Sequence, residues 1–295
     1  MKKLWLAALA VLGIASAAFA YGFYTPAPDG NYDDNNVLVD PAGSGIERIQ
    51  ESVVRIIAAA VLKAENREIY HSDGRSTGGM VIAGRYVLSV AHGIAPDGEI
   101  ATEVPFEGTI REPAKKISEI FVVTGTTDRP SVPVKLVYIN RKIDIALFEL
   151  PASVAIPSFP YAVGNSDDLK VGNFVYNVGY PFGLGVNVRS GIVSSLHPPK
   201  EILKGLEGLP ELDPNDYFME SSGLIPNDSG TPIFAIRDGR YELVGVASSV
   251  NFDFNQLGVA ARINGARDAI LNDCAACPDD LKRFFSAPPA GNGAE

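Results

Sequence analysis

The chain has 295 residues, a formal net charge of −10 at pH 7 and 46% hydrophobic residues. A chain of this length can bury one large or two small hydrophobic cores. Its acidic charge favours a soluble protein and argues against nucleic acid as a partner, because a nucleic-acid-binding surface would need clustered Lys and Arg residues.

The N-terminal segment has the pattern of a secretory signal peptide. Lys2 and Lys3 precede an apolar run from Leu4 to Ala20, which ends in the small-residue motif Ala18-Phe19-Ala20. This combination predicts a signal peptide at residues 1–20 and export to the periplasm or the extracellular space. An uncleaved membrane anchor is the alternative, although about 17 apolar residues is short for a membrane span.

The next segment changes character near residue 45. Residues 21–44 are rich in Asn, Asp, Pro and Gly and predict a flexible linker. Ser44 and Glu47 have the spacing of a helix capping box, whereas Val53-Val54-Arg55-Ile56-Ile57 has the composition of a strand. The sequence therefore leaves open whether residues 46–57 form a helix or a strand.

Short apolar runs separated by Gly and Pro dominate the rest of the chain. Gly79–Ile82 and Tyr86–Val90 flank a turn and predict a β-hairpin. Further strands are predicted at residues 120–124, 134–139, 145–150, 174–178, 191–195, 231–236, 243–249 and 257–263. This pattern predicts an all-β barrel or sandwich, with an N-terminal half at about 45–150 and a C-terminal half at about 160–263.

The end of the chain is predicted to be less regular. One closing helix is expected at residues 265–272, and a disordered tail at residues 274–295. Cys274 and Cys277 form a lone Cys-x-x-Cys motif. A zinc site would need further ligands that do not lie nearby, and a redox motif normally opens a helix after a strand. We therefore expect a local disulfide or two unreactive thiols, and no metal.

Three residues, in chain order, have the chemistry of acyl transfer. His92 follows an apolar strand, Asp144 precedes the apolar segment Ile145–Leu147, and Ser229 lies in the turn Asn227–Pro232 before another strand. A serine hydroxyl becomes a nucleophile when a base removes its proton, and an imidazole held by a carboxylate can be that base. Each residue alone has an ordinary structural explanation, but the ordered set predicts a catalytic site.

The segments around these residues resemble those of a known enzyme family. Ser89-Val90-Ala91-His92, Asp144-Ile145-Ala146-Leu147 and Asn227–Pro232 resemble the histidine, aspartate and serine motifs of trypsin-like serine proteases of the chymotrypsin fold. Val178–Leu184 and Ser190–Ser194 resemble segments of the bacterial high-temperature-requirement (HtrA/Deg) type, to which the chain is most similar. The resemblance covers roughly residues 53–271. It implies two six-stranded antiparallel β-barrels with a C-terminal helix, in a protease domain at residues 45–273.

The resemblance also implies a role for each matching residue. Ser229 would be the nucleophile, and His92 the general base and then the general acid. Asp144 would orient His92, and the hydroxyl of Ser248 would support Asp144. The backbone N–H groups of Asn227 and Ser229 would form the oxyanion hole, which stabilises the charge that develops on the substrate.

The substrate pocket and two departures from the family pattern complete this interpretation. Gly223, Val250 and Gly258 match the pocket positions, and none of them is charged. We therefore expect a small or medium apolar residue before the cleaved bond. Asn227 replaces a glycine whose backbone often needs positive φ, which Asn tolerates better than most residues. Thr231 replaces another glycine and is expected to narrow the site.

The implied function is that of an exported serine endopeptidase without a cofactor, metal or C-terminal PDZ domain. Its partners would be polypeptide substrates, with a homo-oligomer left open and membrane contact only if the signal segment is retained. A catalytically silent relative that binds peptides or an envelope partner is the alternative, and Asn227 and Thr231 favour it. A redox protein that acts through Cys274 and Cys277 is a third hypothesis.

Overall fold

The computed structural model describes residues 29–34, 45–64, 67–71, 76–94, 101–106, 110–124, 131–181, 185–203, 209–250 and 257–287. The predicted signal peptide at residues 1–20 lies outside these described residues. Within the described ranges, no helix has both the length and the apolar character that crossing a membrane would require.

The first half of the chain forms a closed antiparallel barrel. Its strands are β1 (Val53–Ala64), β2 (Arg67–His71), β3 (Ser76–Ile82), β4 (Tyr86–Ser89), β5 (Ala101–Phe106), β6 (Ile110–Thr124), β7 (Val132–Asn140) and β8 (Ile145–Glu149). They are hydrogen-bonded in the order β2-β1-β3-β4-β8-β7-β6-β5. A further pairing of β1 with β6 closes six strands into the barrel and leaves β2 and β5 as extensions.

The second half repeats this architecture. Its strands are β9 (Ala162–Val163), β10 (Phe174–Gly179), β11 (Asn187–Ser195), β12 (Tyr217–Glu220), β13 (Pro232–Arg237), β14 (Arg240–Val250) and β15 (Gly258–Arg262). The order is β13-β10-β11-β12-β15-β14-β9, and β13 also pairs with β14 to close six strands. Only the short β9 pairs in parallel, with β14. The prediction of two six-stranded antiparallel barrels is confirmed.

The apolar runs bury both faces of their strands. Val87 and Phe148 belong to a core inside the first barrel, and Ile233 belongs to a core inside the second. The neighbouring residues Leu88 and Phe234 belong to a third core, which contains residues of both barrels. Because side chains alternate along a strand, each strand at the interface serves its own barrel and the contact between the barrels.

Four α-helices accompany the barrels in the described part of the chain. They are α1 (Gly45–Ser52), α2 (Lys200–Leu203), α3 (Ile263–Asn272) and α4 (Asp279–Ser286). The segment left open between helix and strand contains both, because α1 ends where β1 begins. The predicted closing helix is confirmed as α3.

The prediction of a disordered tail is wrong for residues 279–286, which form α4. Leu281 and Phe285 are both fully buried and lie one helical turn apart, so that they share one face of the helix. A disulfide joins Cys274 to Cys277 in the connection between α3 and α4, and both cysteines are buried in the same core. Burial of this apolar stripe holds the segment in place.

The predicted flexible linker also needs correction at residues 29–34. Tyr32 is only 3% exposed, and its hydroxyl donates a hydrogen bond to Glu242 (2.9 Å). The guanidinium of Arg237 stacks on the Tyr32 ring at 4.1 Å from its centroid. Asp33 donates its N–H to Ile236 O at 2.8 Å. These contacts fasten the segment to the second barrel as a strap.

Candidate active site

The first barrel brings His92 and Asp144 into direct contact. His92 lies just beyond the end of β4, and Asp144 lies in the turn between β7 and β8. Oδ2 of Asp144 is 2.7 Å from Nδ1 of His92, and Oδ1 accepts the backbone N–H of His92 at 2.9 Å. A carboxylate at Nδ1 favours the tautomer with its proton on that nitrogen, which leaves Nε2 free to accept a proton.

Asp144 is fully buried, so its carboxylate depends on hydrogen-bond donors from the protein. Its backbone has φ of 56°, a left-handed conformation that Asp tolerates better than most residues. Besides the two donors of His92, it accepts a hydrogen bond from the Ser248 hydroxyl at 2.5 Å. Ser248 belongs to β14 in the second barrel. Hydrogen-bond donors from both barrels therefore stabilise the buried carboxylate of Asp144.

Ser229 lies in the loop that precedes β13. Its hydroxyl donates a hydrogen bond to the backbone oxygen of Ser248 at 3.2 Å. Its own carbonyl oxygen accepts the N–H of Gly78, from β3 of the first barrel, at 2.7 Å. Any side chain at the neighbouring Gly230 would clash with the carbonyl oxygen of Gly78. The serine loop is thus seated closely against the other barrel.

The loop before Ser229 contains a tight turn. The N–H of Asp228 donates to Ile225 O at 3.0 Å, and Pro226 and Asn227 are the two central residues. Asn227 has φ of 77°. Proline followed by a residue with positive φ is the signature of a type II turn, in which Asn is the usual substitute for Gly. In the described part of the chain, neither the Asn227 N–H nor the Ser229 N–H donates to a backbone acceptor.

Thr231 does not narrow the site, which corrects the expectation from the sequence. It is fully buried below the loop, where its hydroxyl donates to Asp228 O at 2.7 Å. The same hydroxyl accepts a hydrogen bond from Nδ2 of Asn177 at 2.7 Å. Its methyl group lies against Gly78 and Gly179, where a side chain on either glycine would clash with it.

Sequence reasoning missed a buried ionic cluster beneath the serine loop. The carboxylate of Asp228 is 1% exposed and lies 2.6 Å from the guanidinium of Arg189. Burial raises the pKa of Asp228, and the hydrogen bond and charge of Arg189 oppose that shift. A buried acid does demand a partner. No local pattern, however, points to an arginine 39 positions earlier in the chain.

The predicted pocket residues Gly223, Val250 and Gly258 lie in the segment after β12, on β14 and on β15. Gly223 has φ of 75°, and a side chain there would meet open space. Gly258 lies at the start of β15 and pairs with Val250 on β14. The Val250 side chain lies outside the described part of the structure. A side chain at Gly258 would clash with Leu224, which is 3% exposed.

A second acid that the sequence did not single out lies beside this pocket region. Glu220 pairs across the sheet with Gly258 and is fully buried. One of its carboxyl oxygens accepts the N–H of Ser222, and the other has no hydrogen-bond partner. Burial raises the pKa of Glu220, which favours its neutral form.

Among the described residues, no group of three or more His, Cys, Asp and Glu side chains is arranged to hold a metal ion. Cys274 and Cys277 are joined to each other and buried. A reactive redox pair needs access to its partner thiols, so the redox hypothesis draws no support from this arrangement.

Comparison with known proteins gives consistent matches. A family model described as "Trypsin-like peptidase domain" matches residues 77–246. The "Probable periplasmic serine endoprotease DegP-like" of Pseudomonas fulva (strain 12-X) is 33% identical over 129 residues, which are 44% of this chain and 24% of that protein. The "Periplasmic pH-dependent serine endoprotease DegQ" of Escherichia coli (strain K12) is 33% identical over 116 residues, or 39% of this chain and 23% of that protein.

Among solved structures, one described as "HtrA-type protease AlgW with tripeptide" matches with a TM-score of 0.51 and 16% sequence identity. The match covers 78% of this chain and 64% of that chain. At this identity the likeness concerns the fold alone. The chain spans about a quarter of the length of the curated relatives it matches.

Proposed function

The chain belongs to the trypsin-like peptidase domain family, whose model matches more than half of it, and we propose that it is an exported serine endopeptidase. The observation that carries this proposal is the hydrogen-bonded set at the barrel interface. Asp144 holds Nδ1 of His92 at 2.7 Å, and the loop of Ser229 is seated on the same interface. This arrangement supports a shared site for the acid, the base and the serine where the two barrels join.

In the proposed reaction, Ser229 Oγ attacks the carbonyl carbon of the peptide bond while His92 Nε2 accepts the hydroxyl proton. His92 then gives that proton to the leaving amine, the C–N bond breaks, and an acyl-enzyme ester remains. Water, deprotonated by His92, hydrolyses the ester and regenerates Ser229. Asp144 stabilises the imidazolium that forms in both halves. The reaction requires that the Ser229 hydroxyl turn from Ser248 O towards the imidazole.

The oxyanion of the tetrahedral intermediate would be bound by the N–H groups of Asn227 and Ser229. The positive φ of Asn227 supports this role, because it gives that residue the backbone conformation usually reserved for glycine. Such donors are worth most when they are fixed before the substrate arrives. We therefore interpret Asn227 as a replacement of the family's glycine that the oxyanion hole tolerates.

For the residue before the cleaved bond, we propose a small or medium apolar side chain. Leu224 packs beside Gly258 and gives this side of the proposed substrate pocket an apolar surface. Oε1 of Glu220 also lies next to Gly258, and burial raises the pKa of this acid. We further propose a periplasmic location and polypeptide substrates, in line with the names of the matched relatives.

A catalytically silent, peptide-binding protein is the second candidate. It is favoured by the hydrogen bond of the Ser229 hydroxyl to Ser248 O, which points this hydroxyl at a backbone acceptor. The two candidates differ in whether the hydroxyl can leave that acceptor when a peptide binds.

Labelling with a fluorophosphonate probe separates them. The wild-type protein should be labelled and Ser229→Ala should not, since the probe forms its bond with an activated serine. Peptide anilides with Ala, Val, Leu, Lys or Glu before the scissile bond then test the pocket, and Val or Leu should give the highest kcat/KM. No Ser229-dependent labelling or cleavage would refute the enzyme, whereas a preference for Lys would refute only the apolar pocket.

A further inference from the structure

The peptide unit that joins Asp228 to Ser229 carries one of the two N–H groups that we assign to the oxyanion. A trans peptide is planar, and its C=O and N–H point in opposite directions. Whatever holds the carbonyl oxygen of Asp228 therefore also directs the N–H of Ser229. In the described part of the chain this N–H has no backbone acceptor, so that the peptide unit is held from its carbonyl side.

Thr231 binds this carbonyl oxygen twice. Its backbone N–H donates to Asp228 O at 2.9 Å, and its hydroxyl donates to the same oxygen at 2.7 Å. A carbonyl oxygen has two lone pairs, and two donors fix its direction more firmly than one. The glycine that Thr231 replaces in the family pattern could supply only the backbone N–H.

A second buried side chain fixes the direction of the Thr231 hydroxyl. Nδ2 of Asn177, on β10, donates to Oγ1 of Thr231 at 2.7 Å. Because this bond uses the oxygen as an acceptor, the hydroxyl proton is directed to Asp228 O. Both side chains are fully buried, and the low dielectric of the interior strengthens such bonds. Two hydrogen bonds in series thus connect a barrel strand to the peptide unit beside the serine.

The methyl group of Thr231 keeps the side chain in this orientation. It lies against Gly78 of β3 and Gly179 of β10, and a side chain on either glycine would clash with it. A β-branched side chain also has few χ1 rotamers. The methyl group and the hydroxyl therefore have separate tasks: the first packs against both barrels, and the second binds the loop.

The backbone of Asn227 gives a reason why the loop needs this extra bond. Asn227 has φ of 77°, and a left-handed residue other than glycine persists only when its surroundings enforce that conformation. The two departures from the family pattern, Asn227 and Thr231, stand on either side of the Asp228–Ser229 peptide unit. The hydroxyl of Thr231 supplies a bond that a glycine could not, next to a turn that costs free energy.

We propose that Thr231 is a positioning residue of the peptidase: through the bond of its hydroxyl to Asp228 O, it directs the N–H of Ser229 at the oxyanion. This inference rests on the proposed function of Ser229. Thr231 itself is buried below the loop and acts through the peptide unit. Its hydroxyl should therefore stabilise the transition state more than the bound substrate.

Two substitutions separate the hydroxyl of Thr231 from its methyl group. Thr231→Val keeps the branched shape and loses the hydroxyl, whereas Thr231→Ser keeps the hydroxyl and loses the methyl group. Ser52 offers a matched control, because it is fully buried at the end of α1 and its hydroxyl also donates to the carbonyl oxygen three residues earlier, Ile49 O, at 2.7 Å. Ser52→Ala thus removes the same kind of bond outside the serine loop.

The experiment measures steady-state cleavage of a peptide anilide and thermal unfolding in the full chain. For Thr231→Val we expect kcat to fall about 10- to 100-fold with KM nearly unchanged, which is less than the cost of about 10²- to 10³-fold for a whole oxyanion donor. Thr231→Ser should keep most of the wild-type kcat, and Ser52→Ala should lower Tm and leave kcat unchanged. Wild-type kcat in folded Thr231→Val, or equal losses in the Val and Ser variants, would overturn the proposal.

A transition-state analogue provides a readout that general destabilisation does not move. In the adduct of a peptide trifluoromethyl ketone, the Ser229 oxygen bonds to the ketone carbon, the hydroxyl proton passes to His92 Nε2, and the ketone oxygen becomes an oxyanion. Its inhibition constant should rise in Thr231→Val by the factor by which kcat/KM falls, and should not change in Ser52→Ala. An unchanged inhibition constant in an impaired Thr231→Val would contradict a role at the oxyanion.

If Thr231→Val does not fold, Thr231→Ala takes its place and is compared with Thr231→Ser, from which it differs only in the hydroxyl. A lower kcat in Thr231→Ala than in Thr231→Ser supports the proposal, and equal kcat values overturn it. Loss of all Ser229-dependent cleavage in the wild-type chain would instead refute the proposed function. An active wild type with unaffected Thr231 variants refutes only the inference about Thr231.

Discussion

In the first barrel, His92 and Asp144 stand next to strand ends whose residues are packed in apolar cores, whereas in the second barrel Ser229 stands in a loop held by buried polar groups. The strand before His92 is buried along its whole length. The loop of Ser229 instead depends on Asp228, Arg189 and Thr231 and on their hydrogen bonds.

This difference concerns how easily each half can be disturbed. Apolar packing is non-directional and resists change in proportion to the area that is buried. A buried polar cluster fails when a single partner is lost, because the remaining groups stay unsatisfied in a low-dielectric interior. We therefore expect the second barrel to be the half in which single polar substitutions separate activity from folding.

The largest expected effect on kcat comes from residues of both halves, His92 in the first barrel and Ser229 in the second. His92→Ala and Ser229→Ala should each lower kcat by about 10⁶-fold, and the double variant should be no worse than either, because triad members act as a unit. Steady-state cleavage of a peptide anilide measures this. If His92→Ala keeps most of its kcat, or if the two losses multiply, the two residues do not share one reaction.

An intermediate effect is expected where the second barrel supports the first. Ser248→Ala removes one of three donors to the buried Asp144 carboxylate. A hydrogen bond to a charged group is worth about 1.5–3 kcal/mol, so kcat should fall roughly 10- to 100-fold if all of it is expressed in the transition state. Ser195→Ala is the control and should keep full activity, because this half-buried hydroxyl bonds to the backbone of His197. An unaffected kcat in Ser248→Ala would show that Asp144 needs no support from the second barrel.

The smallest expected effect concerns stability and pH in the second barrel. Burial raises the pKa of Glu220, with Asp228 raising it further and Arg189 opposing them. The folded protein then holds this proton more tightly than the unfolded chain does. Stability from this group is complete at low pH and is lost as the pH rises from about 4.3, the ordinary glutamate pKa, through the raised value.

Glu220→Gln should therefore become more stable relative to the wild type as the pH rises, by about 1.4 kcal/mol for each unit by which the pKa is raised. Thermal or urea unfolding at pH 4, 5, 6 and 7 measures the difference. Glu211→Gln, at an exposed position, should show no such trend. A pH-independent difference for Glu220→Gln would mean that the carboxyl titrates normally in the folded protein.

The strands and the three chemical residues were predictable because their signals are local. Apolar runs with Gly and Pro between them predicted an all-β barrel or sandwich, and the resemblance to trypsin-like proteases implied two barrels. His92, Asp144 and Ser229 stood out by their neighbours. Arg189 and Glu220 were missed because their roles arise from contacts with segments distant in sequence. Val250 and the assigned roles of the triad remain predictions.

Two segments were misjudged for a related reason. Composition alone made residues 29–34 and 279–286 appear unstructured, yet each contains aromatic or aliphatic side chains that another element buries. Tyr32 is held by Arg237 and Glu242, and Phe285 lies in the core shared by both barrels. The polar residues around Tyr32 and Phe285 led to the prediction of disorder. Tertiary contacts rather than local propensity order such segments.

The hydrogen bond from Gly78 to Ser229 O has a consequence for the life of the chain before it is mature. Neither barrel alone can complete the site, since the serine loop rests on a strand of its neighbour. The proposed site is therefore complete only after both halves have docked, so that the proposed hydrolytic activity appears as the last product of folding.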